Sequence, residues 1–141
     1  MARRELIEEA LTHSIIGAFF GVYNTLGFGF LEHVYVMAVE RELRARGHDV
    51  AREMCVRVIY KGEDLAAQRL DMIVDAKVIV EVKATAELHK YAPRQLYNYL
   101  KATNLEVGLL LHFGPEPAFY RLMFQHTISK ALASVVSDAS D

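Results

Sequence analysis

RLDMIVDAKVIVEVK, Arg69 to Lys83, is the stretch that decides the fold. It contains two apolar runs, RLDMIVD and KVIVEVK, and the residues at 74–77 between them are typical of a tight turn. In the second run Glu81 and Lys83 are two residues apart, so both side chains project from one face of a strand. Asp71 lies in the neighbouring strand. The stretch therefore predicts an antiparallel hairpin with charged groups near one end.

The length of the turn decides which sheet face carries Asp71. A two-residue Asp75-Ala76 loop places Asp71 opposite Val80, with its carboxylate on the wrong side for a site. A three-residue loop, or a bulge, places Asp71 opposite Glu81 instead. The sequence leaves both registers open, and only the second builds a site.

In the second register two carboxylates lie roughly 5 Å apart, which is destabilising without compensation. A divalent cation supplies that compensation. A few oxygen ligands suit Mg²⁺, which keeps several waters and binds through one or two carboxylates and substrate phosphates, and we expect Mn²⁺ to substitute. Lys83 is then placed to orient an attacking water or to neutralise developing charge, which favours phosphodiester hydrolysis. The alternative for Lys83 is a simple salt bridge with Glu81 or Asp71.

A further carboxylate stands in GFLEHVY, Gly29 to Tyr35. At helical spacing Glu32 falls within the arc of Val36, Val39 and Leu43, so we expect it to point inward. A buried carboxylate must be paired, protonated or bound to a cation. The alternative to a metal is that an arginine or the Tyr35 hydroxyl satisfies Glu32.

The first half of the chain predicts two helices followed by strands. Apolar residues at helical spacing indicate one helix from Glu5 to about Asn24 and a second from about Phe30 to Arg46, and Gly47 supplies a stop. MCVRVIY adds a strand before RLDMIVD, and residues 61–64 form the turn between them. Three consecutive antiparallel strands are therefore expected.

The second half predicts a crossover back to the same sheet. A helix begins at Pro93, because proline is tolerated in a first helical turn. Val107 to Phe113 is apolar on both sides and is typical of a central strand. Ala118 to Phe124 follows as a strand, and Ile128 to Val136 as a short helix before a flexible tail at 137–141. The predicted fold class is α/β, a mixed β-sheet flanked by helices, with a right-handed crossover.

Composition limits the classes of function. The chain has 141 residues, 52% of them hydrophobic, which predicts a single domain over residues 1–141. A net charge of −2 gives no basic excess, which counts against broad nucleic-acid binding without excluding it. No apolar run is long enough for a membrane span and the segment Met1 to Glu9 is charged, so we expect a cytoplasmic protein without membrane contact. Cys55 is expected to be a small buried hydrophobe.

The motif GxxExxY is complete at Gly29, Glu32 and Tyr35, and the sequence resembles the bacterial and archaeal family named for that motif. The resemblance extends from about Leu11 to Phe124 and includes GFGFLEHVY, VIYKGEDL, RLDMIVD, VIVEVKA and QLYNYLKATNLEVGLLLHFG. Members look like small relatives of the PD-(D/E)XK nuclease superfamily. The resemblance implies a restriction-endonuclease-like αβββαβ core with an extra N-terminal helix, in agreement with the element order predicted from the patterns.

The resemblance also implies roles for single residues. The acidic pair and lysine correspond to Asp71, Glu81 and Lys83, with Leu70 where the motif has proline. Glu32 would reach the metal directly or through water.

Three further residues have implied roles. Tyr35 would brace Glu32 by packing or a hydrogen bond. Gln95 and Tyr99 match a QxxxY motif found in some branches, and at positions i and i+4 they share a helix face. Without the resemblance these two would be an ordinary edge of the core.

The leading hypothesis is a Mg²⁺-dependent nuclease or related phosphodiesterase acting on nucleic acid. Phosphate contacts are expected from four cations that flank the site in sequence, although each alone is more typical of a solvated surface charge: Arg69, His89, Lys90 and Arg94. The alternative is a non-catalytic module that binds nucleic acid, a nucleotide or a protein partner.

A third hypothesis is a homo-oligomer whose active surface is completed by a neighbouring subunit. Tyr23, Phe28 and Phe30, around the LGFG loop, would supply the contact, unless they are buried within the monomer. Of the histidines, His33 is expected to face solvent and His112 to be a strand-end residue.

Overall fold

A computed structural model describes residues 7–126 of the chain. In chain order the elements are α1 (Glu9–Leu26), α2 (Glu32–Ala45), β1 (Val50–Arg52), β2 (Cys55–Tyr60), β3 (Glu63–Arg69), β4 (Met72–Val74), β5 (Val78–Lys83), α3 (Ala92–Ala102), β6 (Val107–Phe113) and β7 (Pro117–Met123). The helix predicted at 128–136 and the tail at 137–141 lie outside the described residues. Within 7–126, no helix combines the length and the apolar character that a membrane span requires.

Five strands form a mixed sheet in the order β1-β4-β5-β6-β7. β5 and β6 are parallel and α3 connects them, whereas the other neighbouring pairs are antiparallel. All seven residues of β6 are buried, as expected for a central strand with both faces covered. The predicted α/β fold, with a mixed sheet flanked by helices, is confirmed.

The alternation of side chains along β5 separates two apolar layers. Val78, Val80 and Val82 pack in the layer that contains α1 and α2. Ile79 packs in the opposite layer, with Leu96 and other residues of α3. Since side chains two residues apart share a face, the positions after Ile79 that face α3 are 81 and 83. The charged residues of β5 therefore lie on the α3 side of the sheet.

The strands before β5 form one long hairpin in two parts. In the inner part β1 pairs with β4, from Val50 opposite Val74 to Arg52 opposite Met72. In the outer part β2 pairs with β3 in the continued register. Backbone hydrogen bonds bridge the two parts at residues 53 and 54, which pair with residues 71 and 70. Only the inner part belongs to the five-stranded sheet.

The outer part of the hairpin corrects two expectations. The turn is confined to Lys61 and Gly62, with φ of 50° and 80°, so β3 begins at Glu63, within the predicted turn. All seven residues of β3 are exposed, and no alternation of apolar residues marks the strand in the sequence. Cys55, at the start of β2, is exposed and is therefore not a buried hydrophobe.

The loop between α1 and α2 carries exposed apolar side chains. Phe28 and Phe30 are 47% and 50% exposed, so their expected burial within the monomer is wrong. Tyr23 is half-buried, and its hydroxyl donates hydrogen bonds to the backbone oxygens of Gly114 (2.7 Å) and Pro115 (2.9 Å). That loop leads directly into the first turn of α2.

Candidate functional site

Asp71 lies opposite Glu81 on the α3 face of the sheet. The loop between β4 and β5 consists of three residues, 75–77, so that Met72 pairs with Val80. The next position in this register brings Asp71 opposite Glu81. Of the two registers that the sequence left open, the structure has the one that places both carboxylates on the same face.

The two acidic residues are joined through the backbone. The amide nitrogen of Asp71 donates to Oε1 of Glu81 (2.9 Å), and the amide nitrogen of Val82 donates to Oδ2 of Asp71 (2.7 Å). Strand pairing ends at Met72 and Val80, and beyond that point the side chains bind these two amides. Among residues 7–126, the second oxygen of each carboxylate receives no hydrogen bond from the protein.

Burial and mutual repulsion make this acidic pair costly to ionise. Burial raises the pKa of the Glu81 carboxyl group to about 7, and the charge of Asp71 adds to that rise. Burial also raises the pKa of Asp71, although the hydrogen bond from Val82 and the charge of Lys83 oppose it. Desolvation and like charges both favour the protonated form. A cation between the two carboxylates would remove the cost.

Lys83 ends β5 on the same face as Glu81 and is half-buried. In the described part of the chain it forms no ion pair, so the alternative of a salt bridge with Glu81 or Asp71 is not observed. Its charge partly offsets the rise in pKa that burial causes in Asp71 and Glu81. The ammonium group is therefore near the carboxylates without being held by them.

Glu32 is the first residue of α2 and reaches the same region from the other side. The expectation that it points inward is wrong for the residue as a whole, which is exposed, because it precedes the part of α2 that packs on the sheet. Partial burial of its carboxyl group and the charge of Asp71 still raise its pKa, against the opposing effects of Lys83 and a hydrogen bond from the backbone of Ala84. Glu32 therefore lies within electrostatic reach of Asp71 and Lys83.

The alternatives that would satisfy Glu32 without a metal are not observed. Among residues 7–126 no arginine pairs with it, and the nearby Arg52 binds Glu40 instead (2.7 Å). The Tyr35 hydroxyl donates to the backbone oxygen of Gly27 (2.6 Å) and accepts from the amide of Phe30 (3.2 Å). The expected hydrogen bond between Tyr35 and Glu32 is therefore wrong. Tyr35 instead fixes the loop from which α2 begins.

Gln95 and Tyr99 lie on α3, above the acidic pair. Tyr99 is buried, and burial followed by the charges of Glu81 and Asp71 raises the pKa of its hydroxyl. Gln95 is exposed and lines a cleft of about 910 Å³ together with Lys83. Both residues of the predicted QxxxY pair are therefore close to residues of the candidate site.

Comparisons with known proteins agree with this arrangement. A sequence profile of the PD-(D/E)XK nuclease superfamily matches residues 9–122. The chain belongs to the PD-(D/E)XK nuclease superfamily. A solved structure titled "Crystal structure of SSO0001" superposes with a TM-score of 0.50 and 20% sequence identity, over 99% of this chain and 71% of that one. At this identity the likeness shows the fold alone. The sequence has no significant match among curated proteins.

Membership of the PD-(D/E)XK superfamily places the expected phosphate contacts around one site. Arg69 lines a small depression of about 200 Å³ together with Glu32 and Asp71. His89 and Lys90 line the larger cleft beside Lys83. Arg94 is on α3, where its guanidinium lies 5.0 Å from the centre of the Tyr97 ring. All four expected residues are exposed, and they surround the acidic pair on different sides.

The acidic pair of this PD-(D/E)XK chain fits a divalent cation of the magnesium type. Within residues 7–126 no three His, Cys, Asp or Glu side chains are grouped closely enough to enclose a metal by themselves. Two neighbouring carboxylates, each with one oxygen left over, match the few ligands that Mg²⁺ takes from a protein. For Glu32, this spacing favours contact through water over direct ligation.

Two supporting residues were not anticipated from the sequence. The Nε of Arg52 donates to the backbone oxygen of Asp71 (3.1 Å), and Arg52 also pairs with Glu40 of α2. His112, opposite Lys83 in β6, donates from Nε2 to the backbone oxygen of Thr85 (2.8 Å). Both contacts join residues far apart in sequence, so no local spacing marks them. They fix the backbone on either side of the PD-(D/E)XK site.

Proposed function

We propose that this chain is a Mg²⁺-dependent nuclease of the GxxExxY type, which hydrolyses phosphodiester bonds of nucleic acid, with Mn²⁺ able to replace Mg²⁺. The observation that carries the proposal is the buried pair of Asp71 and Glu81 beside an unpaired Lys83. A cation held there would lower the pKa of water and offset negative charge on a phosphate. Asp71 and Glu81 hold it directly, and Glu32 contributes through water.

The remaining residues act on the substrate and on water. Lys83 donates a hydrogen bond to the attacking water or to a phosphate oxygen, because no carboxylate of the described chain occupies its ammonium group. Gln95 has two amide donors and lies beside Lys83 at the entrance of the cleft. Tyr99 lies close to the acidic pair and positions its ligands through its hydroxyl.

A second candidate function is a non-catalytic binding module on the same fold. The absence of a third grouped ligand among residues 7–126, together with the net charge of −2, favours it. The exposed Phe28 and Phe30 beside the site also support a homo-oligomer in which a second subunit completes the active surface. We place either form in the cytoplasm.

The test is cleavage by the purified protein with Mg²⁺ or Mn²⁺. Labelled DNA and RNA, each single-stranded and double-stranded, are incubated with the wild type, Asp71→Asn and Lys83→Ala. Lys77→Ala, at the other end of β5, is the matched lysine control. We expect cleavage by the wild type and the control and its loss in both site variants. Cleavage that survives in both site variants comes from a contaminant, and binding without turnover identifies the module.

A further inference from the structure

A second concave surface lies between the outer hairpin and α3. β2 and β3 form one wall and α3 forms the other, enclosing about 830 Å³; we call this the hairpin groove. Arg57, Val58 and Gln68 line it from the hairpin, and Arg94, Asn98 and Lys101 line it from the helix. None of the metal-site carboxylates lines the hairpin groove. It is therefore a surface distinct from the acidic pair.

The hairpin groove is positively charged in a chain that is negative overall. Three cationic residues line it and no acidic residue does, although the chain has a net charge of −2. Arg94 and Lys101 form no ion pair among residues 7–126. Arg57 lies 3.1 Å from Asp64, but both side chains are largely solvated, so the pair is weak. Such a local excess of positive charge is complementary to a polyanion.

The hairpin groove leads to the candidate active site. Gln95 lines both the groove and the cleft that contains Lys83. Tyr99 also lines the groove, and the charges of Glu81 and Asp71 act on its hydroxyl. A polymer that lies along α3 therefore passes from the cations of the groove to the acidic pair without leaving the surface.

The walls of the groove fit unpaired bases better than a duplex. Val58 and Ile59 of the hairpin are 39% and 58% exposed and line the groove together with the ring of Tyr99. Proteins bind single strands by combining a cationic groove for the backbone with apolar and aromatic side chains for the bases. A duplex presents its phosphates outward and offers no free base faces to such walls.

We propose that the hairpin groove binds a single strand of nucleic acid, with phosphates at Arg94, Lys101 and Arg57 and bases against the hairpin, and delivers it to Asp71 and Glu81. This proposal rests on the proposed function, since it assigns the substrate of the same site. The hairpin then selects the form of nucleic acid, while the acidic pair carries out the chemistry.

Binding is measured by fluorescence anisotropy on the full chain in EDTA, which prevents cleavage. The probe is a labelled DNA oligonucleotide of about 12 nucleotides, within the range of known single-strand sites, used alone and as a duplex. The groove variant is Arg94→Glu with Lys101→Glu. The matched control is Arg41→Glu with Lys77→Glu, which makes the same charge change at two exposed positions outside the groove.

We expect the single strand to bind at least about tenfold more tightly than the duplex. The groove variant should lose about tenfold or more of that affinity, and its slope of log K against log salt should be less steep by about 1.4, from two lost phosphate contacts. The control should match the wild type. Tighter binding of the duplex, or equal affinity of the groove variant and the control, overturns the proposal. The neutral variant Arg94→Gln with Lys101→Gln checks that the loss follows charge and not misfolding.

Cleavage assays separate this proposal from the function on which it rests. Groove variants that bind and cleave like the wild type, while Lys83→Ala abolishes cleavage, contradict the groove and leave the nuclease intact. Groove-dependent binding of single strands by a wild type that never cleaves them with Mg²⁺ or Mn²⁺ contradicts the nuclease and leaves the groove intact.

Discussion

Asp71 and Glu81 share a backbone link that forces their carboxylates together: the Asp71 amide donates to Glu81 Oε1 at 2.9 Å, and Oδ2 of Asp71 accepts from the following residue of β5, Val82, at 2.7 Å. Two like charges are thus fixed side by side in a buried position. The protein without metal must bear that cost, because neither carboxylate has an ion-pair partner among residues 7–126.

Removing one of the two charges should therefore leave the metal-free protein at least as stable as the wild type. In EDTA at pH 8 we expect Asp71→Asn to unfold at the same or a higher temperature, since its amide oxygen can still accept from Val82. Added Mn²⁺ should stabilise the wild type and not the variant. Thermal denaturation followed by circular dichroism measures both effects.

Asp75 provides the matched comparison on the same hairpin. Its carboxylate accepts from the amide of Asp49 (2.8 Å) and contacts His48 (2.8 Å), so it is stabilised where it lies. Asp75→Asn should lower the free energy of unfolding by about 1 kcal/mol and leave the effect of Mn²⁺ unchanged. A destabilised Asp71→Asn beside an unaffected Asp75→Asn would contradict this assignment of the two aspartates.

The pH dependence of stability should report the ionisation of Glu81. Burial raises its pKa from 4.5 to about 7 in the folded protein, so between these values the unfolded chain has released a proton that the folded protein retains. The resulting stabilisation is complete below about pH 4.5 and is lost as the pH rises through 7. Urea unfolding in EDTA at a series of pH values should show this decrease. Glu81→Gln should flatten it, and the stabilisation by Mn²⁺ should be largest at pH 8.

The loop before Glu32 should depend on the hydroxyl of Tyr35. Tyr35→Phe removes the bonds to Gly27 and Phe30, and we expect a loss of about 1 to 2 kcal/mol in the free energy of unfolding. Because Glu32 begins the helix that follows this loop, cleavage and affinity for Mn²⁺ should fall as well. The hydroxyl of Tyr23 also bonds two backbone oxygens, but those belong to Gly114 and Pro115.

Tyr23→Phe is therefore the control for Tyr35→Phe. It should cost similar stability and leave metal affinity unchanged. If the two variants lower metal affinity equally, a general loosening of the fold explains the effect, and Tyr35 has no special role in placing Glu32.

Close packing between α3 and β6 should make Gly108 intolerant of a side chain. A Cβ at Gly108 would lie 3.0 Å from Cδ1 and 3.1 Å from Cγ of Leu96, which is itself buried in the layer beneath α3. Gly108→Ala should lower stability by about 1 to 3 kcal/mol through overpacking. Gly21 of α1 has no atom within 4 Å of such a Cβ, so Gly21→Ala should raise stability by about 0.5 to 1 kcal/mol. Equilibrium unfolding in urea compares the two.

The sequence predicted most of the fold because its strongest patterns are local. Residues 107–113 form an unbroken apolar run and are the strand β6 with the predicted bounds. The spacing of Glu81 and Lys83 placed both on one face, as observed. β3 was missed, since a strand with both faces in solvent has no apolar alternation to reveal it.

The predicted site was less complete than the predicted fold, for a physical reason. Spacing identified Asp71 and Glu81 but left two registers open, and only the positive φ values of Asp75 and Ala76, which form the three-residue turn, decide between them. The contact of Tyr35 depends on the path of the preceding loop, which helical periodicity does not describe. Interactions between distant segments were therefore the part that local patterns did not contain.

The long hairpin has a further consequence for how this protein can change over time. Its inner part contributes Asp71 to the sheet, whereas its outer part, from Cys55 to Arg69, projects beyond the sheet and meets the rest of the molecule mainly along α3. The tip is free to lengthen, shorten or exchange its residues while the acids stay where they are. Substrate preference can drift in such a protein, generation after generation, without the reaction itself being put at risk.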